Sequence, residues 1–246
     1  MISNNKMNTL DEVRLMYPLL SADDRNRLVY TVFDSAARKD AELARAFEAC
    51  EGFGEMAFAW NWKLLVDAMP ASFKFLEVGV YKGRVLGLVG LCAERERRLV
   101  SLHGVTPLCN IGDKYSHYDE SNYFADIYGA LGKCSVPADR LKLHIGLSQD
   151  PAILRDVAAG GPYDCIFIDG CHDYEVVVAD IKAYLPLVKV GGYFVMDDSS
   201  LYIEKPYGQF LGHPDVSRAA KEYLTEAAGV RHIVAVGHNQ VWQRVA

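Results

Sequence analysis

No stretch of this 246-residue chain is apolar for long enough to cross a bilayer, so a helical membrane span is not expected. The N-terminus, MISNNKMNTLDEV, also lacks the basic region and apolar core of an export signal. No run of lysine and arginine occurs and the net charge is −6. The basic footprint that a phosphate backbone requires is therefore missing, and nucleic acid is not an expected partner. The six cysteines (Cys50, Cys92, Cys109, Cys134, Cys165 and Cys171) contain no C-x-x-C pair, and several sit in apolar runs where a thiol packs as a small hydrophobe. They are expected to be reduced and structural, in a cytoplasmic protein. Internal repeats and low-complexity tracts are absent as well.

What the chain does have is a core. Half of its residues are hydrophobic, and its length suits one α/β domain with extra N-terminal helix. From about residue 9 to residue 69 charged residues alternate with apolar ones at three- and four-residue spacing, as in Asp40, Leu43, Phe47 and then Met56, Trp60, Leu64, a helical pattern that Pro70 ends. Residues 1–70 are read as a helical cap or dimerisation segment, giving a homo-oligomer, and residues 71–246 as the main domain. Beyond Pro70, short apolar runs alternate with helical segments, the pattern of a parallel sheet covered on both faces. The expected strands are Phe73–Gly79, Leu99–Val105, Leu141–Ile145, Tyr163–Asp169, Gly192–Asp197, Arg231–Val236 and Gln240–Val245. Only Gly237, His238 and Asn239 separate the last two, too few for a parallel crossover, so the mostly parallel seven-stranded sheet should end in an antiparallel hairpin.

Two groups of residues carry chemistry. The first follows the opening strand as Glu77-Val78-Gly79-Val80-Tyr81-Lys82-Gly83 and runs into a helix, the geometry that brings backbone N–H groups up to a ligand. Its E-x-G-x-x-x-G spacing lacks the first glycine of a dinucleotide loop. The second is Asp169-Gly170-Cys171-His172 with Asp197-Asp198. These acids close two strands, so they lie together at the carboxyl edge of the sheet, where open α/β folds hold ligands. Converging carboxylates repel unless a cation sits between them. Oxygen ligands favour Mg²⁺, Ca²⁺ or Mn²⁺, and no Cys or His occurs at metal-ligand spacing, so Mg²⁺ is the expected ion.

The stretch from Phe73 to Asp198, with D-G-x-H-x-Y-E and L-V-K-x-G-G…D-D, resembles the metal-dependent small-molecule O-methyltransferases of the macrocin and mycinamicin type. It is similar also to the cephalosporin-biosynthesis proteins and, more distantly, to the catechol type. The resemblance implies a Rossmann-like class I methyltransferase fold using S-adenosylmethionine. It implies that Glu77, Gly79, Tyr81 and Gly83 frame the donor, that Asp169, Asp197 and Asp198 bind the cation with Asp169 also bordering the donor, and that His172 is the base. No acid stands where that family carries its ribose ligand; Thr106 or His103 stands there instead. Ser148 and Gln149 occupy the loop expected to border adenine, although Ser148 could equally cap the next helix.

The acceptor is expected to be a small-molecule hydroxyl, in a sugar or another natural product. Long loops tend to be functional, and two aromatic-rich segments, Lys114–Phe124 and Ser199–His213, are candidate walls, with Tyr207 named for the acceptor pocket. Two other functions fit the same residues. One is a tailoring protein that keeps the donor and metal sites but assists an oxygenase without methylating. The other is a non-catalytic ligand-binding module, dimeric through residues 9–69.

Overall fold

The computed structural model describes residues 7–225 and 227–246. Four helices come first: α1 (Leu10–Met16), α2 (Arg25–Lys39), α3 (Ala41–Ala49) and α4 (Met56–Asp67). Thr9 and Glu12 close a capping box on α1, and Asp40 both ends α2 and caps α3 by accepting the N–H of Leu43. Helix α4 is apolar on nearly all sides because it is covered on nearly all sides. Its Trp62 meets Phe75 and Phe167 of the sheet edge-on, at ring distances of 5.7 and 4.9 Å, while α2 packs on its outer side. The N-terminal helices thus form part of one layer of the domain.

The strands are β1 (Ser72–Val78), β2 (Leu99–Thr106), β3 (Leu141–Ile145), β4 (Tyr163–Ile168), β5 (Val188–Met196), β6 (Val230–Val236) and β7 (Asn239–Arg244). They form one sheet in the order β3-β2-β1-β4-β5-β7-β6, in which only β7 runs against its neighbours. Period-two alternation sorts the side chains. Phe75, Cys165, Phe167 and Val195 face α4 and α5 (Arg84–Arg95), whereas Leu76, Val78, Ile166, Ile168 and Phe194 face the opposite layer. That layer contains α7 (Pro151–Gly160), α8 (Tyr174–Tyr184) and α9 (Pro214–Ala220); α6 (Tyr123–Lys133) packs beside α5.

The sheet agrees with the sequence reading except at β5 and at the hairpin. β5 begins at Val188, which pairs with Tyr163 ahead of an irregularity, and Gly191 takes φ +87° within it. In the hairpin Asn239 already pairs with Val236, so the turn is two residues, Gly237 and His238, with Gly237 at φ +57°. All six cysteines are free, and Cys50 and Cys134 touch at 3.6 Å. Among the described residues no helix is long and apolar enough to cross a membrane.

Candidate active site

Sheet register builds the site. Val78 pairs with Ile168, Ile168 with Met196, and Met196 with Gln240, so the next residues, Gly79, Asp169 and Asp197, emerge side by side. Backbone bonds extend the ladder by one step: Asp169 N–H donates to Val78 O (2.8 Å) and Asp197 N–H to Ile168 O (3.0 Å). Asp198 then turns at φ +52°, a conformation that aspartate tolerates better than most residues. Its carbonyl accepts from His213 N–H (2.9 Å) and Ser217 Oγ (3.1 Å), and Gly212 lies so close that an added Cβ would sit 2.1 Å from that oxygen. Above this edge opens a cavity of about 910 Å³.

On the β1–β3 side, Glu77, Gly79, Tyr81, Gly83, Thr106, Ser148 and Gln149 all line the cavity. Gly79 needs to be glycine: φ is +97° and a Cβ would fall 2.0 Å from Asp169 O. Gly83, at φ +81°, starts α5 within 2.9 Å of the Ile127 backbone in the same sense. Burial pushes the Glu77 carboxyl up to about 8, and its Oε2 has no hydrogen-bond partner. Tyr81 stacks on Phe53 at 5.2 Å, with Tyr118 and Tyr123 beside it, making an aromatic wall. The Thr106 hydroxyl accepts from Leu108 N–H, whereas His103 is turned into the interior against His144 (3.1 Å) and does not line the cavity. Asp150, rather than Ser148, is the N-cap of α7, and Gln149 donates to Val176 O (3.2 Å).

On the β4–β7 side the acids meet three imidazoles. His172 places Nδ1 2.7 Å from Asp113 Oδ2 and Nε2 3.0 Å from Asp198 Oδ2. Asp113 is fixed in turn by the backbone N–H groups of His172, Tyr115 and Ser116. Burial opposes charge on His172, but the hydrogen bond and charge of Asp198, and then Asp113, outweigh it and hold the ring above its ordinary range. His213 Nε2 lies 3.5 Å from Asp198 Oδ2. His238, in the hairpin turn, points Nε2 at Asp197 Oδ1 (3.3 Å) and Asp198 Oδ1 (3.8 Å), and Nδ1 at Glu55 Oε1 (3.4 Å). Burial works against its charge too, yet Asp197, Glu55 and Asp198 carry it up to about 9.

Among the described residues, two sets of ligand atoms fall within 4.8 Å of one another: His172, Asp198 and His213, and Asp197, Asp198 and His238. Histidine ligands, excluded by sequence spacing, are thus brought in by loops. Asp169, expected as the third carboxylate ligand, is in neither set. It lies beside Asp197 of the adjacent strand end, and burial with the charges of Asp197 and Asp198 pushes its carboxyl well up. Tyr207 is a correction: it does not line the cavity but packs edge-on to Tyr30 at 5.4 Å, while Gln209 and Phe210 of the same segment reach the cavity. The sequence reading missed Glu55, Asp113, His213 and His238, none of which sits in a motif. The one local signal was a histidine in a tight turn, where glycine and asparagine are the usual residues.

A methyltransferase-domain family model matches residues 76–199, from the glycine loop to the paired aspartates. Uncharacterized protein R132 of Acanthamoeba polyphaga mimivirus is 30% identical over 134 residues, so the match spans 54% of this chain and 54% of that relative. An O-methyltransferase from Bacillus cereus in complex with SAH superposes with a TM-score of 0.56 at 16% identity, covering 84% of this chain and 91% of that one. The MycE methyltransferase of the mycinamycin pathway, in complex with Mg, SAH and mycinamycin VI, gives 0.52 at 17%, covering 83% and 54%. The strand order, the glycine loop at the end of β1 and the family match lead to one conclusion: this chain belongs to the methyltransferase-domain family and has the class I methyltransferase fold.

Proposed function

We propose that the protein transfers the methyl group of S-adenosylmethionine to a hydroxyl of a small molecule, assisted by a divalent cation and by His172 as base. The observation that carries this reading is the position of His172 on the cavity floor, between Asp113 and Asp198 and beside the glycine loop. Glu77, Gly79 and Gly83, with Thr106, Ser148 and Gln149, border the half of the cavity suited to the donor. The acceptor would enter from the side of the aspartates and Phe210. SAH in both structural neighbours, and Mg in one, support the donor and the ion.

The residues fit a cation. Asp197 Oδ1 is buried without a hydrogen-bond partner, and the carboxyls of Asp169 and Asp197 are pushed up by being buried beside further acids. Asp197 and Asp198, with Asp169 alongside, would hold it; when bound, such an ion supplies positive charge that orients a hydroxyl and eases its deprotonation. His172 would accept the hydroxyl proton at Nε2 once Asp198, which faces that nitrogen, is engaged by the cation instead, and Asp113 at Nδ1 keeps the ring in place for that transfer. The acceptor oxygen then attacks the methyl carbon in line, the carbon–sulfur bond breaks and S-adenosylhomocysteine leaves as a neutral thioether, a reaction accelerated chiefly by alignment of the two reactants. Calorimetric titration of S-adenosylmethionine and, separately, NAD tests the reading. Binding of the first alone is expected, with turnover of a hydroxylated acceptor lost to a chelator; failure to bind S-adenosylmethionine overturns it.

A further inference from the structure

The two carboxylates and the hairpin histidine form a face of three ligand atoms: Asp197 Oδ1, Asp198 Oδ1 and His238 Nε2. Ligands each about 2.1 Å from one ion lie roughly 3.0–3.5 Å apart at right-angle to tetrahedral geometry, and further apart at wider angles. The 3.3 Å from His238 to Asp197 falls in that range, and the 3.8 Å to Asp198 corresponds to a wider angle of about 130° at such bond lengths. A charge-assisted N–H to carboxylate bond would be shorter, about 2.7–2.9 Å, as His172 comes closer to with Asp198. Neither Asp197 Oδ1 nor His238 Nδ1 has a hydrogen bond, although the His238 side chain is only 7% exposed. Nδ1, opposite the nitrogen that faces the aspartates, looks onto Glu55 Oε1 at 3.4 Å; that oxygen is likewise without a hydrogen bond, and Glu55 Oε2 accepts from Tyr30 OH and from Gln209 N–H. A carboxylate behind a histidine whose other nitrogen faces acids is the arrangement that orients a metal-ligating imidazole.

We propose that His238 is a nitrogen ligand to the cation, oriented by Glu55 from the segment before α4, and that the site therefore selects a first-row transition ion over Mg²⁺. This rests on the cation assigned under the proposed function and goes beyond its oxygen ligands. Imidazole adds little for Mg²⁺, which prefers oxygen and water, but binds Mn²⁺, Fe²⁺ and Co²⁺ with increasing strength. The hairpin places the ligand: His238 O accepts from Ser199 N–H (2.9 Å), and Gln240 Nε2 donates to Ser199 O (2.6 Å), tying the turn to the residues after Asp198. The same assignment gives the N-terminal helical segment a role in the site itself, through Glu55 and Tyr30.

Co²⁺ and Mg²⁺ titrated separately into the metal-free protein test this, with Co²⁺ followed by its visible ligand-field bands and by hyperfine-shifted exchangeable imidazole protons in NMR. Co²⁺ should bind at least about tenfold more tightly than Mg²⁺. His238→Asn should remove one exchangeable imidazole signal and weaken Co²⁺ about tenfold or more, and Glu55→Gln should weaken it about tenfold while the signal persists. Both variants should bind S-adenosylhomocysteine as the parent does, which reports an intact fold. Mg²⁺ binding as tight as Co²⁺, or an unchanged Co²⁺ spectrum in His238→Asn, overturns the nitrogen ligand and leaves the cation standing. No binding of either ion overturns the cation as well, and loss of S-adenosylhomocysteine binding by the parent protein separately overturns the donor assignment.

Discussion

Replacing Gly79 with alanine strains the strand edge at its tightest point. The backbone there has φ +97°, beyond the basin that L residues enter, and a Cβ would lie 2.0 Å from Asp169 O, 2.4 Å from its carbonyl carbon and 2.5 Å from Gly170 Cα. These are all backbone atoms, so no side-chain rotation relieves the clash. The ends of β1 and β4 would have to part by more than about 1 Å to regain ordinary contact. The torsional cost is about 1–2 kcal/mol, and weakening of the Asp169 to Val78 hydrogen bond adds about 1 kcal/mol. For a chain of this size the sum lowers Tm by roughly 5–10 °C. Because Asp169 moves with its strand end, turnover should fall about a hundredfold even where the protein is folded. Gly191→Ala is the control: φ is +87°, but nothing lies within 4 Å of the added Cβ, and the position is at the far end of β5 from the site. It should cost the torsional part alone and leave S-adenosylhomocysteine affinity unchanged. Scanning calorimetry and ligand titration of both variants decide the matter. If Gly79→Ala melts no lower than Gly191→Ala and binds the ligand as the parent does, the close approach of β1 to Asp169 does not set the site.

Three further outcomes are expected. His172→Gln should lower kcat by about 10²–10⁴-fold with S-adenosylhomocysteine affinity unchanged, measured by single turnover with a hydroxylated acceptor. Glu77, ordinarily near 4.5 and here pushed up to about 8, stabilises the fold fully below about pH 4.5 and progressively less as pH rises through about 8. Glu77→Gln should flatten that dependence, a difference of at most about 4 kcal/mol, read by urea unfolding of the metal-free protein at about pH 5 and about pH 8.5. Trp62→Ala, which removes the ring wedged against Phe75 and Phe167, should cost about 3–5 kcal/mol in chemical denaturation while sparing ligand affinity.

The sheet was legible in the sequence because buried parallel strands are short apolar runs with sharp ends, and a residue that closes such a run must lie at the sheet's edge. Gly79, Asp169 and Asp197 could be placed together on that logic alone. What escaped was everything brought in from elsewhere in the chain. Asp113 reaches His172 across 59 residues and Glu55 reaches Gln209 across 154, and no local periodicity encodes such meetings. Tyr207 shows the same limit, since a loop's aromatic residues can face either a cavity or a neighbouring helix and Tyr30 decided this one. The run Met-Ala-Phe-Ala-Trp in α4 did carry a missed signal. A helix apolar on several faces must be covered on several faces, which fits a layer of the domain better than a surface cap.

The division of labour in the site follows from electrostatics. Strand ends supply the carboxylates, and register leaves them no freedom to spread apart. Three acids held so close, and without water around all of them, would destabilise the fold unless positive charge came from somewhere rigid. The imidazoles come from flanking segments, but each is pinned: His172 by Asp113, His213 by the bond from its N–H to Asp198 O, and His238 by the hairpin and Glu55. His238 is carried up to about 9 by the acids it faces, so the protein holds counter-charge of its own before any ion binds. Folding then does not depend on the cation, unlike in a small domain whose core is a metal. Stripping divalent ions with a chelator should accordingly abolish turnover while leaving the far-ultraviolet circular dichroism and the cooperative melt intact. Collapse of the fold on chelation would mean that the acids, rather than the acid–imidazole pairs, dominate the charge balance of the site.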